Sequence, residues 1–104
     1  MSLETIGEII ATRTLYLVDD NNSKRVISVL VGKPEPSEDQ SVYQCPFQLI
    51  GIGSQKTQLA QGNDSIHALQ SAMILIAANL NHLNGELGGR LRWEGSRNGD
   101  LGFP

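Results

Sequence analysis

Disulfide chemistry is absent from this 104-residue chain, because Cys45 is its only cysteine. No intrachain bridge can form, and a lone thiol fits a reducing, cytoplasmic setting. Long apolar runs are missing too. The longest, Ala72 to Ala78, falls far short of the ~20 residues needed to span a bilayer as a helix. No basic start leads into an apolar run and a small-residue cleavage site, so the sequence reads as having no signal peptide. Aromatics are few: Tyr16, Tyr43, Phe47, Trp93 and Phe103. They do not alternate with bases, which argues against a platform for stacking nucleic-acid bases. Basic residues are scattered, and the formal net charge is −3. That balance opposes the broad electrostatic grip that nucleic acid requires.

The common constellations of chemistry are also missing. His67 and His82 lie fifteen residues apart on one expected helix, too far along it to share an ion. Gly51-Ile52-Gly53 has no third glycine and no helix directly after it, so a dinucleotide loop is not supported. There is no Walker loop and no Gly-x-Ser-x-Gly elbow. Cys45 sits in an alternating segment and reads as a buried, inert thiol. The expectation is therefore no catalytic residue, no cofactor and no metal.

What is present is a chain with enough apolar residues for one core. Hydrophobic residues make up 39% and charged residues 18%, which places residues 1–104 among globular domains. A chain of this size buries roughly 60–70% of its unfolded surface. Ile9 to Val18 alternates, with Arg13, Leu15 and Leu17 on one side and Thr12, Thr14 and Tyr16 on the other. Val26 to Val31 reads as a central strand. Ser41 to Ile50 places Tyr43, Cys45, Phe47 and Leu49 on one face. Pro46 has no N–H to donate, so it belongs at a free edge or a bulge. Gln55 to Gln61 is a fourth, weaker strand. Short polar connections make the four an antiparallel meander.

The strongest element is a helix with Asp64 as N-cap and Gly85 as its left-handed end. Ile66, Leu69, Met73, Ile76, Leu80 and Leu83 recur at spacings of three and four, which predicts the core-facing stripe. Leu91 and Trp93 then alternate with Arg90, Arg92 and Glu94 as a short final strand. Leu101 and Phe103 predict a docked tail. The expected fold is α+β in two layers: a meander of about four strands, one long helix on one face, and a short C-terminal strand.

Two features point outward. Ile74 and Leu75 lie off the stripe, on a helix with no charged residue from Ser65 to Leu83. Either the tail covers them, or a second chain does, a protein partner or another copy. Acids cluster at Asp19-Asp20 and at Glu35, Glu38 and Asp39, as solvated loops or as an acidic patch for a basic partner.

Several strings carry a resemblance. They are Arg13-Thr14-Leu15, Gly32-Lys33-Pro34, Cys45-Pro46-Phe47, Gly62-Asn63-Asp64-Ser65 with Ala68-Leu69-Gln70, and Gly99-Asp100-Leu101-Gly102-Phe103-Pro104. Together they resemble an uncharacterised family of small bacterial α+β domains. The resemblance implies the fold and no activity. The functional expectation is a non-enzymatic interaction module, such as a small acidic inhibitor or toxin immunity protein. The alternative is an enzyme or ligand binder with a pocket between sheet and helix.

Overall fold

Alternation of side chains puts one face of each strand against the helix, and the computed structural model follows that pattern. It describes residues 6–96 and 98–104. The elements are β1 (Ile9–Val18), β2 (Lys24–Gly32), β3 (Glu35–Pro36), β4 (Tyr43–Ile50), β5 (Gln58–Gly62), α1 (Ser65–Glu86) and β6 (Leu91–Arg92). All pairings are antiparallel: β1 with β2, β2 with β4, β3 with β4, β4 with β5, and β6 with β1. This is the expected meander, with the final strand returning to the outer edge of β1.

β3 is an element that the sequence pattern did not reveal. It meets the same edge of β4 as β2 does, but one residue out of step. Val31 opposes Phe47 in β2, whereas Glu35 opposes Gln44 in β3. Pro46 faces this break, where β2 gives way to β3. Its missing donor thus falls at an irregularity, inside a strand paired on both sides. Gly32 makes room for it: a Cβ there would lie 2.6 Å from Pro46 Cγ.

The core sits between the sheet and α1. Leu15, Ile27, Val29, Val31, Cys45, Phe47 and Leu49 face Ala68, Ala72, Ile76 and Leu80. Among the described residues no polar or charged side chain is fully buried. Leu69, Met73 and Leu83 pack at the flanks of the expected stripe, half-buried. Ile66 does not join it and is 68% exposed. The stripe is rotated toward Ala68 and Ala72 because α1 approaches the sheet very closely at its start. Small side chains have to line that contact.

Both ends of α1 are capped. Asp64 Oδ1 accepts a hydrogen bond from the His67 backbone N–H at 2.7 Å, as an N-cap should. His67 Nδ1 accepts from the Asn63 N–H at 2.9 Å, one residue before the cap, where the glutamate of a capping box would bond the N–H of the cap itself. The C-terminal end lies three residues beyond the expected one. Leu87 is the C-cap and Gly88 is the left-handed residue, with φ 69°. Gly89 N–H donates to Asn84 O and Gly88 N–H to Gly85 O, the paired closure of a Schellman motif. Gly85 itself is helical. The fourth strand also starts later than expected, because Gln55 has φ 59° and belongs to the β4–β5 loop.

α1 lies over β4 and β5, which leaves the β1 side of that face to the C-terminal tail. Leu101 is buried, and Trp93 and Phe103 pack on the core. Arg13 holds them. Its guanidinium sits 4.0 Å from the Trp93 ring centre and 4.8 Å from that of Phe103. It also donates to Leu101 O at 3.2 Å. A cation between two rings adds on the order of 1 kcal/mol to such a contact.

Candidate functional site

The face of α1 turned from the sheet carries the most exposed apolar surface on the helix. Ile66 is 68%, Ile74 62% and Leu75 41% exposed. At ~100° and ~1.5 Å per residue, Ile74 lies between the other two, about 80° from Ile66 and 100° from Leu75, so Ile66 and Leu75 stand on opposite flanks of the helix and do not share one face. Leu75 lies on the flank above the β5 edge. One turn later on that flank, Asn79 Nδ2 donates to Gln58 Oε1 of β5 at 3.3 Å.

The tail does not cover this face. It runs beside Ala77, Leu80, Asn81 and Asn84, roughly opposite Leu75 on the helix circumference. Of the two alternatives read from the sequence, cover by the tail is thereby set aside, since Ile74 and Leu75 stay exposed. Geometry explains it: the tail follows Trp93 and Arg13 over β1, while Leu75 overhangs β5 on the other side.

The acidic residues are not brought together. Asp19 and Asp20 occupy the β1–β2 turn, beside the C-terminal end of α1. Glu38 and Asp39 occupy the β3–β4 connection, at the opposite end of the sheet. Three of the four also serve local structure. Asp19 Oδ1 accepts from the N–H groups of Asn21 and Ser23, both at 2.9 Å. Asp20 pairs with Arg90 at 2.5 Å on the surface, a contact worth about 0–1 kcal/mol. Asp39 accepts from the Ser41 hydroxyl and N–H and from the Ser37 hydroxyl. Those donors favour the carboxylate and pull its pKa down to about 2. Glu38 is exposed.

Cys45 is fully buried in β4, and its Sγ donates weakly to Gly32 O at 3.5 Å. Desolvation pushes the thiol above its ordinary range. A thiol reagent should therefore label Cys45 slowly in the native protein and rapidly once it unfolds. Fast native labelling at neutral pH would show an accessible thiolate and overturn this assignment.

Between sheet and helix the contact is closed: Phe47, Ala68, Ala72 and Ile76 are inaccessible. Grooves lie at the rim instead. One, of about 620 Å³, runs between Arg25, the Gly51–Gln55 loop and Leu83, Glu86 and Leu87. It is wide open to solvent. Among the described residues, no group of three His, Cys, Asp or Glu side chains is placed to hold a metal. No helix among them is long and apolar enough to cross a membrane. Sequence reading missed Arg13 as the residue that fastens the tail. Its only signal was a lone base inside an alternating strand.

The sequence profile of a family described as Domain of unknown function (DUF6968) matches residues 11–104. Neither the curated proteins nor the solved structures contain a match to the chain.

Proposed function

We propose that this chain, which belongs to the DUF6968 family of domains of unknown function, is a non-enzymatic protein-interaction module of the bacterial cytoplasm. Its contact surface is the outward face of α1. The observation that carries the reading is the stretch from Ser65 to Gly85, which holds no Asp, Glu, Lys or Arg yet exposes Ile74 and Leu75 side by side. A surface helix normally presents charge there. An apolar ridge on a helix fits a partner with a hydrophobic groove. Acids near both ends of the helix, Glu38 and Asp39 at one and Asp19 and Asp20 at the other, suit a partner whose groove has basic rims. A small inhibitor, such as an immunity protein acting on a toxin, is the specific form of this reading.

The double variant Ile74→Glu/Leu75→Glu tests it. Both positions are exposed, so the variant should keep the wild-type circular dichroism and melting profile. Purified from the cell that encodes it, the wild-type chain should recover a defined protein with which it also forms a complex from purified components. The variant should bind that protein at least about tenfold more weakly, because a carboxylate in an apolar contact is left unpaired. Equal binding by both would remove the helix face from the interaction.

A further inference from the structure

The dipeptide Asn-Gly occurs twice in the chain, at Asn84-Gly85 and at Asn98-Gly99. In such a pair the side-chain amide is open to attack by the next backbone nitrogen, because glycine has no Cβ to block the approach. The two copies differ in their surroundings. Asn84-Gly85 lies within α1. There the helix ladder engages the glycine N–H, and the Asn84 side chain leans toward the start of the helix, away from that nitrogen. Both Asn84 oxygens are also tied. Oδ1 accepts from the Leu91 N–H and the carbonyl from the Gly89 N–H, at 2.9 and 2.8 Å.

Asn98-Gly99 has no such restraint. Both residues are exposed, in the turn between Trp93 and the docked tail. Among the described residues nothing accepts the Gly99 N–H. Asn98 Oδ1 accepts instead from the Asp100 N–H at 3.3 Å. That bond closes a ring like that of a β-turn, which folds the side-chain amide back over the Asn98–Gly99 peptide. The Ser96 hydroxyl donates weakly to the same oxygen at 3.5 Å. Two donors thus face the atom on which negative charge collects when the amide carbon is attacked. Asn22, in the β1–β2 turn, is unlike it: the following N–H, of Ser23, is held by Asp19 Oδ1 at 2.9 Å.

We propose that Asn98 is a site of spontaneous modification by cyclisation onto Gly99, and that the isoaspartyl product loosens the tail. Gly99 N gives its proton to solvent base and attacks Asn98 Cγ. The new C–N bond forms, the Cγ–Nδ2 bond breaks, and Nδ2 takes a proton from water and leaves as ammonia. The product is a cyclic succinimide. Water opening that ring at Cγ gives aspartate. Water opening it at the Asn98 main-chain carbonyl gives isoaspartate, whose backbone runs through Cβ and Cγ. Either product adds a negative charge. Isoaspartate also lengthens the main chain by one methylene, three residues before Leu101, whose carbonyl Arg13 holds at 3.2 Å. The tail has little slack to take it up, because Gly102 packs directly on the Trp93 ring. The site is separate from the α1 face and does not rest on the interaction proposed there.

Peptide mass mapping of the purified chain, aged at neutral pH and physiological temperature, tests the site. Asn98 should be converted at least about tenfold faster than Asn84, because the helix has to open before Asn84 can react. In urea the two should react at similar rates. An isoaspartate-specific methyltransferase should label the aged wild type and leave Asn98→Gln unlabelled, since the longer side chain closes a ring far more slowly. Separated from unreacted chain, the isoaspartyl form should melt below the wild type. Fresh Asn98→Asp, which carries the charge without the extra methylene, should melt close to it. Equal conversion of Asn84 and Asn98 in the native chain would overturn the proposal, as would an Asn98 that outlasts Asn84. An isoaspartyl form that melts with the wild type would overturn the effect on the tail.

Discussion

Phe47→Ala should lower the free energy of unfolding by about 3–5 kcal/mol, and Ile76→Ala by about 2–5 kcal/mol. Both side chains are wholly inaccessible, and they meet where β4 and α1 face each other. Phe47 sits at the centre of the sheet, opposite Val31 on one side and Gln58 on the other. Removing its ring leaves a void bounded by two strands and a helix, which cannot collapse without breaking a ladder. Leu69→Ala should cost clearly less than Ile76→Ala, because Leu69 is half-buried at the flank of the contact. Denaturant unfolding measures all three, with unchanged slopes showing that the transition is the same. A domain of this kind has about 5–15 kcal/mol in total, so Phe47→Ala should populate the unfolded state visibly. Losses below about 1 kcal/mol for both buried sites would mean that the core lies elsewhere.

The strand faces were legible because alternation is a strict geometric consequence of the extended chain. Leu15, Ile27, Val29, Cys45, Phe47 and Leu49 fall on the core side as their spacing requires. The helix was legible as an element and less so in its rotation. Large residues mark a stripe only when the helix keeps a normal distance from its neighbour. Here Ala60, Ala68 and Ala72 line the contact, so the stripe turns toward alanines and Ile66 is left outside. Size-weighted patterning cannot see that, because an alanine is as common on an exposed face.

Contacts made at long range left no local trace. Arg13 meets Leu101 across 88 residues, and its own neighbours in sequence describe an ordinary strand. The acids illustrate the converse. Asp19-Asp20 and Glu38-Asp39 look alike as strings, yet β2 and β3 between them carry the chain from one end of the sheet to the other. Sequence proximity suggested a common patch that strand direction forbids.

Two glycines should respond in opposite directions to the same change. Gly62→Ala should destabilise the protein by about 1–3 kcal/mol or more. Gly85→Ala should stabilise it by roughly 0.5–1 kcal/mol. Gly62 ends β5 where α1 begins, and a Cβ there would run into the backbone N of Ala68, with the carbonyl carbon of His67 at 2.6 Å. Those atoms belong to the first turn of the helix, not to a side chain that can rotate away. Either α1 lifts off the sheet, opening space beside Ala68 and Ala72, or β5 bends and strains its pairing with Tyr43. The Asp64 cap, two residues on, would move with it. Gly85 lies within α1, has nothing within 4 Å of the added Cβ and is not left-handed. Alanine there only removes conformational freedom from the unfolded chain. Thermal or denaturant melts of the two variants, read beside the wild type, check both signs. If Gly85→Ala were instead destabilising by more than about 1 kcal/mol, Gly85 would be the left-handed end that its place in the sequence suggests, and the Gly88 closure would be wrong.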